Sequence, residues 1–455
     1  MNLGTTASPG NAPFVIFSVL GLVYLISWLG GATPGSEKQG PLEFNRDVAP
    51  ILFRQCSNCH RQGGAQPQLL SYSDVHRNLT RINQVLSSGS MPPWKPMPGF
   101  GEFKGERVLA AKEKETLLQW IGAGAPEGPD TAKPQPPRFS DDWELGPPDL
   151  VVTMAKPFQV RSQGADIYEC FTVDLGLDAD RPIAAYEVHP GNRAVLHHSI
   201  IFFRNEAGPG KGHAESEYEC FGGPGFTPSG TLGGWSPGAR SVTFPSGVGK
   251  VLRAGTQLVM QNHYHPNGSP QEDQTSIGIY FSKTKPKGWA IGVPIVEQHI
   301  DIPPGNRDYK LSTAFTTPVD IQVFAIFPHM HWLGKEIKVV ATLPGDQRVP
   351  LIWIKDWDFN WQGEYFYQKP IHLPKGTRIE MDVSFDNSSG NGRNPNHPPR
   401  RVIFGDQSTD EMAVCVMEVE IDNISDAVAL QKAILLQPGV TGIEGKNDMN
   451  EVVNR

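Results

Sequence analysis

Three kinds of hydrophobic pattern follow one another along the chain. Residues 14–32, FVIFSVLGLVYLISWLGGA, form an apolar run close to the length of a membrane span. Within 42–62 the apolar positions Phe44, Val48, Ile51 and Leu52 recur at i, i+4, i+7 and i+8, one face of a helix. A second helical stripe, Leu117, Trp120 and Ile121, lies in GERVLAAKEKETLLQWIGAGAPEG, and the Gly/Pro cluster stops it. From about residue 150 the period changes to two, as in TQLVMQNHYH, DIQVFAIFPHMHW, RIEMDVSF and EMAVCVMEVEI. The pattern predicts a small all-α region over 40–125, then one or two antiparallel β-sandwiches from 150 to 422. Residues 126–149 are Pro-rich and read as a semi-rigid linker at the boundary. Residues 423–455 contain AVALQKAILL, a short helical tail.

Composition narrows the function classes. The 48 Gly and 41 Pro of 455 residues are spread among apolar segments, which excludes a coiled coil, a long helical bundle and a multi-span membrane protein. The net charge is −8 and no segment forms a basic patch, so no nucleic-acid partner is expected. Residues 1–35 carry no charged side chain, whereas an export signal usually has Lys or Arg before its apolar stretch. The segment reads as an export signal or an uncleaved N-terminal anchor, which makes the membrane a partner. Everything downstream is then exported, periplasmic or otherwise extracytoplasmic.

The first chemical motif is CSNCH, with Cys56, Cys59 and His60 directly after the first helical stripe. C-x-x-C-H is the attachment signature of a c-type haem: two thiols bond the porphyrin and the adjacent imidazole ligates iron. A thioredoxin-like CxxC would need a βαβ setting, and a zinc site a second ligand pair nearby. Neither pattern is present in the sequence around it. Met91, in the stiff loop GSMPPWKPM, is the expected second axial ligand, with Met97 and His76 as competitors. Thioether ligation raises a haem potential and suits electron transfer. The order helix, CxxCH, Met loop, closing helix resembles a small cytochrome c domain.

The second set of motifs lies on the strands. His197 and His198 occur in AVLHHSIIFF, His263 and His265 in VMQNHYHPNG, and His329 and His331 in FPHMHWLGKEI. His329 and His331 are two apart and share a strand face, as two ligands of one metal would. His197 and His198 are adjacent and point opposite ways on an ideal strand, so joint ligation requires a bulge or a strand end. Met412, in STDEMAVCVM, shares a face with Val414 and Val416. Taken alone it reads as core.

The anchors VLHHSIIFF, TFPSGVGKV, LVMQNHYHP, FPHMHWLGK and STDEMAV occur in this order over residues 150–422. Together they resemble the type II, ascorbate-dependent copper monooxygenases, the family of peptidylglycine α-hydroxylating and dopamine β-monooxygenases. The resemblance implies two jelly-roll sandwiches, here 150–295 and 296–422, with two copper ions facing each other across a solvent-filled cleft. It implies one copper on His197, His198 and His263, which stores and delivers an electron. It implies a second on His329, His331 and Met412, where O2 and a small-molecule substrate meet. It also implies a Cys170–Cys220 disulfide, leaving Cys415 without a partner. His265 matches no ligand and reads as a solvated strand-end residue, with support of a neighbouring ligand as the alternative.

Two departures stand out. The peptide-hydroxylating enzymes hold a substrate carboxylate with Arg, Asn and Tyr where this chain has Phe327, Val414 and Val416. A more apolar substrate than a peptidyl-glycine is therefore expected. The second departure is the fused haem motif, which provides a one-electron carrier to replace or supplement ascorbate or a redox protein as donor. The rival readings are a non-catalytic haem and copper electron carrier, a copper-storage protein and a zinc hydrolase. The first is weakened by Met412 beside the His329–His331 pair, the second by the haem motif. The last lacks a catalytic carboxylate or HExxH helix.

Overall fold

The alternating pattern beyond residue 150 becomes two β-sandwiches in a computed structural model. It describes residues 40–62, 66–139, 143–205, 216–221, 223–226, 228–236, 239, 241–245, 247–405 and 408–437. The expected signal or anchor at 14–32 lies outside the described residues. Among the described residues no helix is long and apolar enough to cross a membrane.

The helical stripes of the first region close on one another. A π-helical turn, Phe44–Val48, runs into the helix Ala49–Gln55, followed by Tyr72–His76, Leu79–Ser88 and Ala111–Gly122. Phe44, Val48, Leu52, Val75, Leu86, Leu117 and Trp120 form a core separate from those of the sheets. The start of the expected linker is strapped to this module. Trp120 Nε1 donates to the Pro126 carbonyl (2.9 Å) and Asn45 Nδ2 to Gly128 and Pro129. Its far end is docked too: the Trp143 ring stacks on His189 at 3.9 Å, and the Glu144 N–H donates to both oxygens of the Glu187 carboxylate.

In the first sandwich one sheet has the order Leu150–Thr153, Ser276–Phe281, Arg181–His189, Val251–Leu252. The other runs Glu217–Glu219, Ile167–Asp174, Thr256–Tyr264, Leu196–Asn205, Gly230–Trp235. Both contribute to one core around Ile183, Ile201, Leu258, Met260 and Ile279. The expected Cys170–Cys220 bond is present and ties the strand beside His263 to its edge neighbour. A disulfide is compatible with an extracytoplasmic compartment. Under the same sheet, the buried Asp273 accepts from Tyr264 Oη (2.8 Å), Thr275 Oγ1 (2.8 Å) and Asn192 N–H (2.7 Å). One carboxylate thus pins the end of the His263 strand and the turn leading into the His197 strand.

In the second sandwich one sheet has the order Tyr365–Leu373, Ile321–Met330, Ala413–Ile421, Gly288–Val296, Val248–Gly249. The other runs Tyr309–Thr316, Arg378–Phe385, Gly334–Thr342, Arg348–Ile354. Gly288–Val296 pairs along its whole length with Ala413–Ile421, so the chain enters the second sandwich ahead of residue 296. The tail helix Ile424–Leu435 lays Ala427, Leu430 and Ile434 on this core. Cys415 points into it as a free thiol.

The sandwiches are locked together. Val248–Gly249, from the first sandwich's stretch of chain, adds a parallel strand beside Gly288–Trp289. The adjoining Lys250 reaches Glu418 (3.1 Å) and the Thr231 carbonyl (2.7 Å), with both charged side chains less than a tenth exposed. Phe324 and Ala325 of the second sandwich sit in the first sandwich's core.

The Met91 loop does more than close the helical module. Beyond it, Met97 N–H donates to the Trp353 carbonyl (2.7 Å) and Lys104 N–H to the Phe366 carbonyl (2.7 Å), while Gln368 N–H donates back to Glu102 (2.8 Å). Phe103 is 3% exposed and belongs to the second sandwich's core.

The disulfide closes a loop with a sequence separation of 50, worth about 4 kcal/mol of unfolded-state entropy on the chain-entropy model. Replacing both cysteines by Ser should lower stability by about 2–4 kcal/mol in urea unfolding of the oxidised protein. Reductant should lower the wild type equally and leave the variant unchanged.

Candidate metal centres

The adjacent pair is turned to one side by a bulge. His263 stands opposite His198, yet the next residue, Tyr264, stands opposite Leu196. His197 is therefore the extra residue, the device expected from the sequence. Its ring joins those of His198 and His263. Their ligand atoms all lie within 4.8 Å of one another. His198 Nδ1 is 3.2 Å from His197 Nδ1 and 3.3 Å from His263 Nδ1. Nitrogens bound at about 2.0 Å with tetrahedral angles would stand about 3.3 Å apart, so the donor set fits one imidazole-ligated ion.

The surroundings keep these rings neutral and oriented. Burial, then the neighbouring His263, lowers the His197 pKa to about 4, and burial drives His198 well below the usual imidazole value. Neutral imidazole is the ligating form. Tyr168 stacks flat on His263 at 4.2 Å. His263 Nε2 is held by Asp166 Oδ2 (2.8 Å), which assigns Nδ1 as the ligand atom. Burial opposes the charge on Asp166, but the bonds to His263 and His265 prevail and its pKa falls to about 2. The other Asp166 oxygen takes His265 Nδ1 (2.8 Å). His265 is 70% exposed, as a solvated strand-end residue should be, but it is also the outer partner of this carboxylate.

The second set shares one sheet face. His329 pairs with Val414 and Phe327 with Val416 in antiparallel register. His331 and Met412 stand one residue beyond the paired strand ends, where continued alternation would put both on this side, and His331 is buried. The intervening Met330, Ala413 and Cys415 turn into the core. The His329 and His331 ring centroids are 5.1 Å apart. His329 Nδ1 meets Gln362 Oε1 (2.5 Å) and His331 Nδ1 the Asp410 carbonyl (3.3 Å), which assigns Nε2 as the ligand nitrogen in both. Beside them, Phe327 and Val416 form an apolar floor with Val414.

One buried carboxylate shapes this end of the sheet. Glu411 accepts from the N–H groups of His331 (2.5 Å), Leu333 (2.8 Å) and Met412 (2.8 Å). It therefore fixes the strand end carrying one histidine to the residue carrying the thioether. Burial pushes its pKa up to about 8 against these bonds. Glu411 and Asp166 escaped sequence reasoning. Glu411 is the residue before Met412 in STDEMAV, and that position is the one local mark of its role.

The two sets are not separated by open cleft alone. The loop 355–364 carries Gln362 to His329 and Phe359 to His331, ring centroids 5.8 Å apart. Its Asn360 backbone lies near enough to His197, and His329 to His198, to act on their imidazoles.

In the helical module, the N–H groups of Cys59 and His60 both return to the Cys56 carbonyl, placing the motif on one tight turn. His60 Nδ1 contacts the Pro67 carbonyl (2.8 Å), which leaves Nε2 as the ligating atom. Both thiols are free, and burial pushes that of Cys56 up to about 12. A redox CxxC needs the opposite shift. Met91 follows the left-handed cap at Gly89, its N–H on the Val85 carbonyl (3.3 Å). Met97 is engaged with Trp353 through its backbone, and His76 is exposed beside Tyr72.

No family model matches the chain. MOXD1 homolog 2 of Drosophila melanogaster is 24% identical over 177 residues, which is 34% of this chain and 23% of that protein. The chain thus spans under a quarter of that curated relative's length. Among solved structures, the major capsid protein P2 of bacteriophage PM2 aligns with a TM-score of 0.25 and 8% identity, covering 60% of this chain and 96% of that one. The PBSX exported protein XepA aligns with a TM-score of 0.14 and 8% identity over 52% and 86%. Neither score carries an argument.

Two outcomes are expected. Asp166→Asn should weaken copper binding at the three-histidine set by about 10–100-fold in chelator competition, and leave the second set unchanged. In the metal-free protein, the lowered His197 pKa means the unfolded chain binds more protons at mildly acidic pH. Stability should be complete above about pH 6.5 and fall as pH drops toward 4, by about 3 kcal/mol from His197. Urea titrations of wild type and His197→Ala across that range check the sign.

Proposed function

We propose that the chain is an exported copper-dependent monooxygenase. It hydroxylates a C–H bond of a small, largely apolar organic substrate, with a c-type haem on Cys56, Cys59 and His60 as its electron carrier. The observation that carries this reading is the convergence of the His197, His198 and His263 nitrogens; the His329 and His331 rings, 5.1 Å apart, and the Glu411 carboxylate that joins the main chain of His331 to that of Met412 support a second set. The partial likeness to MOXD1 homolog 2 supports a copper-monooxygenase-like protein. Copper supplies reversible one-electron chemistry and a site for O2, so that one oxygen atom enters the C–H bond and the other leaves as water, with two electrons and two protons consumed.

The protein's own groups do the rest. Asp166 and Tyr168 hold His263 in one tautomer and one plane. Gln362, Asp410 and Glu411 do the same for the second set. Met412 would add a soft thioether donor to the imidazoles of His329 and His331, a donor set that would favour cuprous copper. Phe327, Val414 and Val416 offer no charge and no hydrogen bond, so the substrate face selects by shape and apolar area. A carboxylate-bearing peptide would lose its charge partner there. The CxxCH turn, with its neutral His60, suits covalent haem better than a thiol–disulfide couple.

Oxygen uptake stoichiometric with hydroxylated product is the direct test, and copper and haem binding without oxygen uptake would leave only an electron carrier. Met412→Ala should abolish hydroxylation while retaining the three-histidine copper and the haem spectrum.

A further inference from the structure

The segment after Met91 leaves the helical module and enters the second sandwich. The Trp94 ring meets Tyr365 edge-on at 5.5 Å, and Phe103 stacks on Tyr367 at 5.1 Å. Lys95, only 12% exposed, reaches Asp356 (3.2 Å) and Asp358 (3.7 Å). Pro96 and Phe103 form bridges with Ile354 and Tyr367. These contacts grip both ends of the loop 355–364. From that loop Gln362 holds His329, Phe359 abuts His331, and Trp357 Nε1 donates to the His331 carbonyl (3.2 Å). A second route runs through the sheet, because Tyr365 pairs with Ile326, three residues before His329. The first set is approached only two residues further along the loop, at the Asn360 main chain.

We propose that Trp94, Tyr365 and the loop 355–364 form the electron path from the CxxCH module to the copper sites, and that this path reaches the His329–His331 site first. The inference rests on the haem and copper reading above and deepens it. One electron passes from ferrous haem to a cupric ion, leaving ferric haem and cuprous copper, and no atom or proton is transferred. The second site then receives an electron without prior reduction of the three-histidine copper. Trp94 and Tyr365 are positioning residues in this scheme.

The test uses the full chain loaded with haem and two cupric ions under argon. A short radiolytic pulse reduces the haem, its reoxidation is followed by absorbance, and freeze-quenched samples report the two cupric EPR signals. These are assigned from His263→Ala and His331→Ala, each lacking one site. In the wild type the second-site signal should decay first. Reoxidation should persist in His263→Ala and slow by about tenfold or more in His331→Ala. Trp94→Leu should slow it similarly with haem spectrum and copper content unchanged; Trp94→Phe replaces it if the Leu variant loses copper, and should slow it less. Earlier decay of the three-histidine signal overturns the inference and leaves the function standing, as does a rate insensitive to Trp94. A chain that binds no haem fails the functional reading itself, and this inference with it.

Discussion

Two neighbouring histidines serve one metal only where their strand breaks its alternation, and the bulge at His197 is that break. It sets three imidazole nitrogens facing one point. What surrounds the bulge keeps it from relaxing. Asp273 fixes the turn before it, Asp166 and Tyr168 fix the ring opposite, and the disulfide fixes the strand on the far side. Each of these holds His263 or its neighbours by contacts between residues distant in sequence, so the geometry exists only in the folded sheet.

The second face depends on a different device. His329 and Val414 lie where regular antiparallel register puts them, and the strand end at His331 needs support. Glu411 supplies it by collecting three main-chain N–H groups that would otherwise be unpaired and buried. The two faces are then held in a fixed relation by the Lys250–Glu418 pair, the added strand Val248–Gly249 and the loop 355–364. A buried ion pair is weak evidence for stability, but it penalises any sliding that would separate its charges.

Much of this was legible beforehand because it is local. The helical stripe at Phe44–Leu52, the alternation in EMAVCVMEVEI and the CxxCH turn each follow from spacing alone. So did the requirement for a bulge at His197 and the shared face of His329 and His331. The disulfide came with the family resemblance. What remained hidden was long-range. Asp166 is a single loop carboxylate 97 residues from His263, and nothing in its neighbourhood marks it. Trp94 read as part of the stiff Met91 loop, although it packs against another domain's core. The Pro-rich linker read as a spacer, although Pro126 and Trp143 are docked at either end. Local periodicity reports which face a residue shows, not which distant surface covers it.

The proposed function requires two copper ions held by donor sets that differ in one sulfur. X-ray absorption at the copper edge of the reduced, fully loaded protein decides this. Two coppers per chain are expected, with a nitrogen shell and a single sulfur contribution per copper pair that vanishes in Met412→Ala while the nitrogen shell of the three-histidine site stays. One copper per chain, or a sulfur shell that survives the loss of Met412, would contradict it.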